Sequence, residues 1–308
     1  MTAPTPLKPP ALKPGARMAL VAPSGPVTEE RIRGALARCA ALGLEPVLGE
    51  AVRERTAYLA GPDERRAADL QAAIDDPTMD GVWALRGGYG VTRILAGLDL
   101  SPLLERPRPI IGFSDLTALH LALLRLGIVG FHGPHPLSSV APVTDACFRR
   151  VLFQAEPAGA LPLPEDGERP LTLRAGVTEG RLVGGNLALA AACCGTAASM
   201  RARGAIVFLE DVGEPGYRVD RMLTQLRLAG ALDGAAGLAF GRFTEVPPYA
   251  HDRPVQDVLG ELADELGIPA VCGLPIGHVP DNWTLPLGIR ARLDAGAGTL
   301  ELLEAAVT

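Results

Sequence analysis

Residues 17–48 read RMALVAPSGPVTEERIRGALARCAALGLEPVL. Residues 17–22 are a short apolar run of strand length, closed by Pro23-Ser24-Gly25-Pro26. Residues 28–42 then repeat apolar positions at helical spacing. Thr28 stands where an N-cap belongs, and Glu29 and Glu30 complement the helix dipole in the first turn. Residues 45–48 are the next strand. The alternation continues outward, with a helix over 63–75 that carries Ala67, Leu70, Ala73 and Ile74 on one face, and strands over 81–85 and 109–112. A helix over 115–126 and a strand over 128–131 follow. Strands separated by helices imply parallel pairing, because parallel neighbours need a crossover where antiparallel ones need only a hairpin. The fold class expected is therefore α/β, opening with a parallel sheet covered on both faces.

Downstream the pattern breaks. Residues 156–179 contain Pro157, Pro162, Pro164 and Pro170 and few large apolar residues, which reads as a linker or irregular crossover. The chain divides into an extended tail over 1–16, an N-terminal α/β domain over 17–155, this linker, and a second domain over 180–308. In the second domain helices are expected over 187–194, 218–228 and 255–266, and strands over 205–209, 238–241, 270–272, 289–293 and 299–303.

Composition excludes several kinds of chemistry. The chain has 308 residues, 48% of them hydrophobic, and a net charge of −6, which argues against a general nucleic-acid surface. Its only lysines, Lys8 and Lys13, lie in the Pro-rich tail, so the body holds no Walker-type loop, Schiff-base lysine or Ser–Lys dyad. The cysteines, Cys39, Cys147, Cys193, Cys194 and Cys272, form no C-x-x-C pair, which argues against a disulfide framework or structural zinc and for a reducing compartment. The amino terminus lacks the apolar run of a secretory signal. The uncharged stretch 182–200 is broken by Gly184-Gly185-Asn186 and reads as a buried helix entered through a turn, not as a membrane span. A cytoplasmic location without membrane association is expected.

In open parallel sheets ligands sit beyond the carboxyl ends of strands. Ser114 lies there, in Pro109-Ile110-Ile111-Gly112-Phe113-Ser114-Asp115-Leu116-Thr117, at a sharp strand-to-helix turn. Such a turn presents a nucleophile beside unpaired helix N–H groups, and it is equally the pattern of a plain N-cap serine. A nucleophilic serine needs a base, and the base an orienting group. Among the histidines, His120 sits inside the following helix, and His251 is in a polar loop; His132 and His135 follow a strand, where they could line a pocket or bind a metal, but no carboxylate pair at metal-ligand spacing accompanies them. His278, in Leu274-Pro275-Ile276-Gly277-His278-Val279-Pro280-Asp281-Asn282, occupies a loop whose Gly and Pro residues set the backbone path. An inert turn histidine fits that pattern as well. Glu210, the first of three acids following residues 205–209, would project from a strand end, with Asp211 and Glu214 as helix-start acids.

Read together, these segments resemble the LD-carboxypeptidase (muramoyltetrapeptide carboxypeptidase) family, which includes the microcin C self-immunity peptidases. The landmarks are Arg86-Gly87-Gly88-Tyr89-Gly90, Gly112-Phe113-Ser114-Asp115-Leu116-Thr117, Gly184-Gly185-Asn186-Leu187, Leu209-Glu210-Asp211-Val212-Gly213-Glu214, Tyr217-Arg218-Val219-Asp220-Arg221-Met222-Leu223 and Gly277-His278, with Leu285-Pro286-Leu287-Gly288 closing the series. The resemblance runs from about Arg17 to Leu303. It implies an N-terminal parallel-sheet domain carrying the nucleophile, a C-terminal α+β domain, and an active site at their interface. Ser114 would be the nucleophile, His278 the base and Glu210 its partner, with the backbone N–H groups of Gly88 and Asp115 as the oxyanion hole. The implied reaction releases the terminal D-alanine from a cell-wall tetrapeptide at an L–D bond, during peptidoglycan recycling, by a homodimer that needs no metal or organic cofactor. An exopeptidase must also hold a free carboxylate, for which Arg86 is the candidate fork, with Asn186 as a substrate hydrogen-bonding residue. The third residue of the peptide, meso-diaminopimelate or lysine, stays open.

Two other functions compete with this reading. A microcin-type peptidase would cleave a peptidyl or aminoacyl-nucleotide conjugate and would want an aromatic face for the base, for which Trp283 is the candidate. A non-catalytic sensor of wall peptides would not need all three residue types. A dinucleotide-binding oxidoreductase is excluded, because Ala22-Pro23-Ser24-Gly25-Pro26 lacks the G-x-G-x-x-G spacing.

Overall fold

A computed structural model describes residues 6–136, 141–248, 251 and 253–308. Its first sheet collects β1 (Arg17–Val21), β2 (Glu45–Leu48), β3 (Gly81–Ala84), β4 (Ile110–Gly112) and β5 (Phe131–His132), all parallel, in the order β5-β4-β3-β1-β2. The crossovers carry α1 (Glu29–Ala41), α2 (Asp63–Asp75), the short helices α3 (Val91–Ile94) and α4 (Pro102–Glu105), and α5 (Thr117–Arg125); α6 (Pro142–Phe153) follows β5. Thr28 caps α1, its hydroxyl accepting from Arg31 N–H. Because helices cover the sheet, β1, β3 and β4 are buried almost throughout, as parallel strands require.

The second sheet is mixed. Its strands are β6 (Gly159–Ala160), β7 (Leu171–Arg174), β8 (Val177–Asn186), β9 (Ala205–Val212), β10 (Gly237–Thr244), β11 (Ala270–Cys272), β13 (Arg290–Asp294) and β14 (Thr299–Leu302). Their order is β6-β14-β13-β8-β9-β10-β11-β7. The centre, β8 to β11, is parallel and the edges are antiparallel. Helices α7 (Leu187–Ala192), α8 (Gly216–Leu228) and α9 (Val255–Leu266) connect the parallel strands. The remaining strand, β12 (Leu285–Pro286), crosses back and pairs antiparallel with β5, so the carboxyl-terminal part of the chain closes an edge of the first sheet.

Several elements differ from expectation. Residues 156–179, read as linker or crossover, contribute β6 and β7 to the two edges of the second sheet. The strand expected over 128–131 is displaced to Phe131–His132, because residues 127–129 pair instead with the tail: Leu7 N–H donates to Gly127 O and Val129 N–H to Leu7 O. Residues 6–16 of the tail are thereby extended but pinned, and Lys8 also pairs with Glu304 at 3.1 Å; residues 1–5 lie outside the described residues. Gly184 and Gly185, expected as a turn, lie inside β8. A methyl group on Gly184 would stand 1.8 Å from Phe208 O, so the glycines serve close strand approach. The uncharged stretch 182–200 thus begins as strand, and no helix among the described residues is long and apolar enough to cross a membrane.

Candidate active site

The chain leaves β4 through Gly112 and Phe113, and Ser114 takes a left-handed backbone with φ of 62°. That conformation is costly for a residue with a Cβ, and it clusters at functional turns. Ser114 opens a single 3₁₀ turn, Ser114–Leu116, that runs directly into α5. A methyl group on Gly87 would lie 2.8 Å from Ser114 Cβ and 3.0 Å from its Oγ, so only glycine lets the turn after β3 lie against the serine. Asp115 laces the neighbouring turns together. Its buried Oδ2 accepts from the Ser24 hydroxyl at 2.6 Å and from Val91 N–H at 2.8 Å. Burial pushes this carboxyl's pKa up, against the pull of those hydrogen bonds.

His278 enters from the loop after β11. Its Nδ1 lies 2.8 Å from Glu210 Oε2. A carboxylate accepts, so Nδ1 carries the proton and Nε2 is left with a lone pair. The ring stands edge-on to Phe113, the residue before Ser114, at 4.8 Å between centroids. Glu210 is wholly buried, and a methyl group on Gly277 would reach its Oε2 at 2.1 Å, so Gly277 is what lets the histidine loop close over the carboxylate. Burial pulls the His278 pKa down, but the hydrogen bond and charge of Glu210 more than offset it, and the net shift is upward. Behind the pair, Asn186 Nδ2 donates to Glu210 Oε1 at 3.3 Å and to Asp211 Oδ1 at 2.9 Å. Burial raises Asp211 to about 6, with Asn186 opposing and the Glu210 charge adding to the rise.

Ser114, His278, Gly88, Arg86, Arg31 and Val212 line one cleft of about 490 Å³. Arg86 stands at the exposed rim, with Nη1 donating to Pro26 O at 2.9 Å. Asn186, expected to meet substrate, is instead 3% exposed, caps α7 by accepting from Leu189 N–H, and holds the carboxylates behind His278. Trp283, the candidate stacking face, is fully buried and donates Nε1–H to Pro162 O at 2.7 Å.

The other histidines of the first domain are interior groups. His120 Nε2 donates to Gly112 O and His135 Nδ1 donates to Ala84 O, each at 2.8 Å, and burial takes both pKa values down to about 4. His132 lies buried between the rings of Phe113 and Phe208. Among the described residues, no three His, Cys, Asp or Glu side chains group as ligands for a metal ion.

Sequence reasoning passed over Thr117, Arg31 and the side chain of Asp115, whereas His135, placed after a strand as a residue that could line a pocket, does line this cleft. Thr117 Oγ1, one turn beyond Ser114, accepts from Asn186 N–H at 2.9 Å and so joins the two sheets' domains directly. A methyl group on Gly185 would lie 2.5 Å from that oxygen. The Gly-Gly-Asn motif was the available signal, for it marks close backbone approach as well as a turn.

Residues 18–133 match the LD-carboxypeptidase N-terminal domain, and residues 179–293 match the LD-carboxypeptidase C-terminal domain. The chain is 35% identical over 290 residues to the murein tetrapeptide carboxypeptidase of Pseudomonas aeruginosa, covering 90% of this chain and 93% of that one. The crystal structure of a muramoyltetrapeptide carboxypeptidase from Oxalobacter formigenes superposes with a TM-score of 0.80 at 33% identity, covering 93% of this chain and 98% of that one. The microcin C7 self-immunity protein MccF, in complex with aspartyl sulfamoyl adenosine, shares the fold with a TM-score of 0.90 at 24% identity, covering 98% of this chain and all of the other. By both domain matches and by these relatives, the chain is a two-domain carboxypeptidase that belongs to the LD-carboxypeptidase family.

Proposed function

We propose that the protein removes the terminal D-alanine from murein tetrapeptides, at an L–D bond, through a Ser114-His278-Glu210 triad. The observation that carries this reading is the 2.8 Å bond from His278 Nδ1 to Glu210, with His278 and Ser114 on the walls of one cleft. His278 Nε2 takes the Ser114 proton as Oγ attacks the scissile carbonyl. The N–H groups of Gly88 and Asp115 receive the developing oxyanion. His278 then returns the proton to the leaving amine, D-alanine departs, and a water deprotonated by His278 hydrolyses the acyl-enzyme. The two relatives named for murein peptides support this substrate class. A role in peptidoglycan recycling, in the cytoplasm and as a homodimer, belongs to the same proposal.

The rival nucleotide-conjugate reading keeps the fold likeness to MccF but loses its aromatic, since Trp283 is enclosed. Mass spectrometry after incubation with a purified tetrapeptide, a D,D-terminated pentapeptide and a peptidyl-adenylate mimic tests the proposal. Release of D-alanine from the tetrapeptide alone is expected. Cleavage confined to the adenylate mimic would replace the proposal with its rival.

A further inference from the structure

A second cavity, of about 740 Å³, opens on the seam between the two domains, at the far end of the elements that carry the candidate site. Helix α5 begins at Thr117 beside Ser114 and ends at this cavity with Arg125; strand β8 ends at Asn186 beside Glu210 and passes this cavity at Arg181. Helical and strand rises put the two openings roughly 12–17 Å apart.

The lining combines four arginines, Arg125, Arg181, Arg201 and Arg203, with the apolar side chains of Leu124 and Leu126, and no acidic residue among the described residues. Arg181 is held in place: its Nη1 donates to Gly288 O at 2.6 Å and meets Glu304 at 3.0 Å. Glu304 is shared with Lys8, so its single charge answers two cations. The guanidinium groups of Arg125, Arg201 and Arg203 make no ion pair or side-chain hydrogen bond among the described residues. In a chain of net charge −6, a cavity with four guanidinium groups and this little counter-charge is a local exception. Guanidinium forks match phosphate oxygens in planar, two-point geometry, and a cavity of this volume suits a ligand of nucleotide size.

We propose that this rear cavity binds a small molecule carrying a diphosphate group, with an apolar or ring portion lying on the exposed Leu126 and the half-buried Leu124. Such a ligand touches both domains at once. It therefore stabilises their docked arrangement as well as the fold of each, and it raises the melting temperature with the logarithm of free ligand concentration above Kd.

The test uses the full chain with inorganic pyrophosphate and adenosine diphosphate as probes, followed by calorimetry and thermal unfolding at constant ionic strength. Saturable binding in the submillimolar range is expected, tighter for the nucleotide, with a matching rise in melting temperature. The exposed pair Arg125→Glu/Arg203→Glu should weaken it by at least about tenfold, the scale of a lost charge-assisted contact. The control pair Arg55→Glu/Arg106→Glu, with the same change in net charge, should bind like the parent. Binding that survives in the first pair would place the anion elsewhere, for instance on Arg31 and Arg86 of the other cleft, and would overturn the proposal. So would equal loss in both pairs, or a change of oligomeric state in the first pair, which would mark the surface as a contact between copies of the chain.

Discussion

The hydroxyl oxygen of Thr117 accepts the backbone N–H of Asn186 at 2.9 Å, and this one bond ties the helix that follows Ser114 to the strand that ends beside Glu210. The proposed nucleophile and the proposed base come from different domains, so the bond fixes the registry between them. Thr117→Val keeps the shape and removes the acceptor, leaving a buried N–H unpaired at a cost of about 1–3 kcal/mol. The expected outcome is a folded enzyme whose kcat falls about tenfold or more while KM changes little. Steady-state kinetics beside a urea melt separate the two effects. Thr117→Ser, which keeps the acceptor, should restore most of kcat.

Ser114 is both the proposed nucleophile and a point of backbone strain. Ser114→Ala should cut turnover by several orders of magnitude while the far-ultraviolet circular dichroism stays unchanged. Ser114→Gly should be equally inactive yet more stable, by about 1 kcal/mol, because glycine adopts a φ of 62° without a Cβ penalty. A glycine variant that melts below the alanine variant would contradict the strain argument.

The upward shift of the His278 pKa fixes the sense of the pH dependence. Burial works against the shift and Glu210 drives it. The base is active when neutral, so kcat/KM should rise with pH through a midpoint above the ordinary histidine value of about 6.5. Glu210→Gln removes the charge that raises this pKa, so the acid limb should move to lower pH while the plateau falls by about 10³–10⁴. In stability, a raised histidine pKa has the opposite sense: its contribution is complete below about 6.5 and is lost as pH climbs through the folded-state value. A rate profile from pH 5 to 9 on both proteins checks the direction.

Acid should also loosen the fold from within. His120 and His135 are neutral in the native state, with burial holding each near pKa 4. The unfolded chain binds protons at those positions below about 6.5, so native stability is present above that value and drains away as pH falls toward 4. Full titration of one such residue is worth on the order of 3 kcal/mol. Urea midpoints measured between pH 7.5 and 4.5 should decline steadily, and His120→Asn should flatten part of that slope.

Arg86 stands at the rim of the cleft with one nitrogen committed to Pro26 O. Its remaining donors make no hydrogen bond among the described residues and can take a peptide carboxylate as a charged fork. Arg86→Ala should raise KM about tenfold or more with a smaller change in kcat, since such binding is made before the chemical step. An amidated tetrapeptide, lacking the carboxylate, should lose the same factor on the parent enzyme and nothing further on the variant. An unchanged KM would remove Arg86 from substrate recognition.

Local chemistry in the chain was enough for the parallel sheet of the first domain. Apolar runs of strand length, helices with a capping Thr28, and short connections leave few other ways to bury those faces, and β1, α1, β2 and α2 lie where their residues place them. Ser114 was legible as a turn serine, and Glu210 and His278 as residues near strand ends, because Gly, Pro and acidic residues mark such ends within a few positions. What local pattern could not carry was pairing between distant segments. Edge strands β6 and β7 lie in a Pro-rich stretch, and β12 is too short to show alternation. The helix α6 does present buried Cys147, Phe148, Val151 and Leu152 at helical spacing, so that element is carried by local pattern.

The amino-acid order by itself determined the alternating strands and helices of the first domain, the sharp turn at Ser114, and the family to which the chain belongs, for these depend on near neighbours and on motif spacing. Tertiary structure alone decided that Asn186 lies behind Glu210 and not on the cleft, that Trp283 is enclosed, and that Thr117 and Gly185 meet. The reason is physical. Burial and hydrogen bonding between residues tens of positions apart are set by how two sheets dock, and a single chain read in order carries no term for that contact until the domains close on one another.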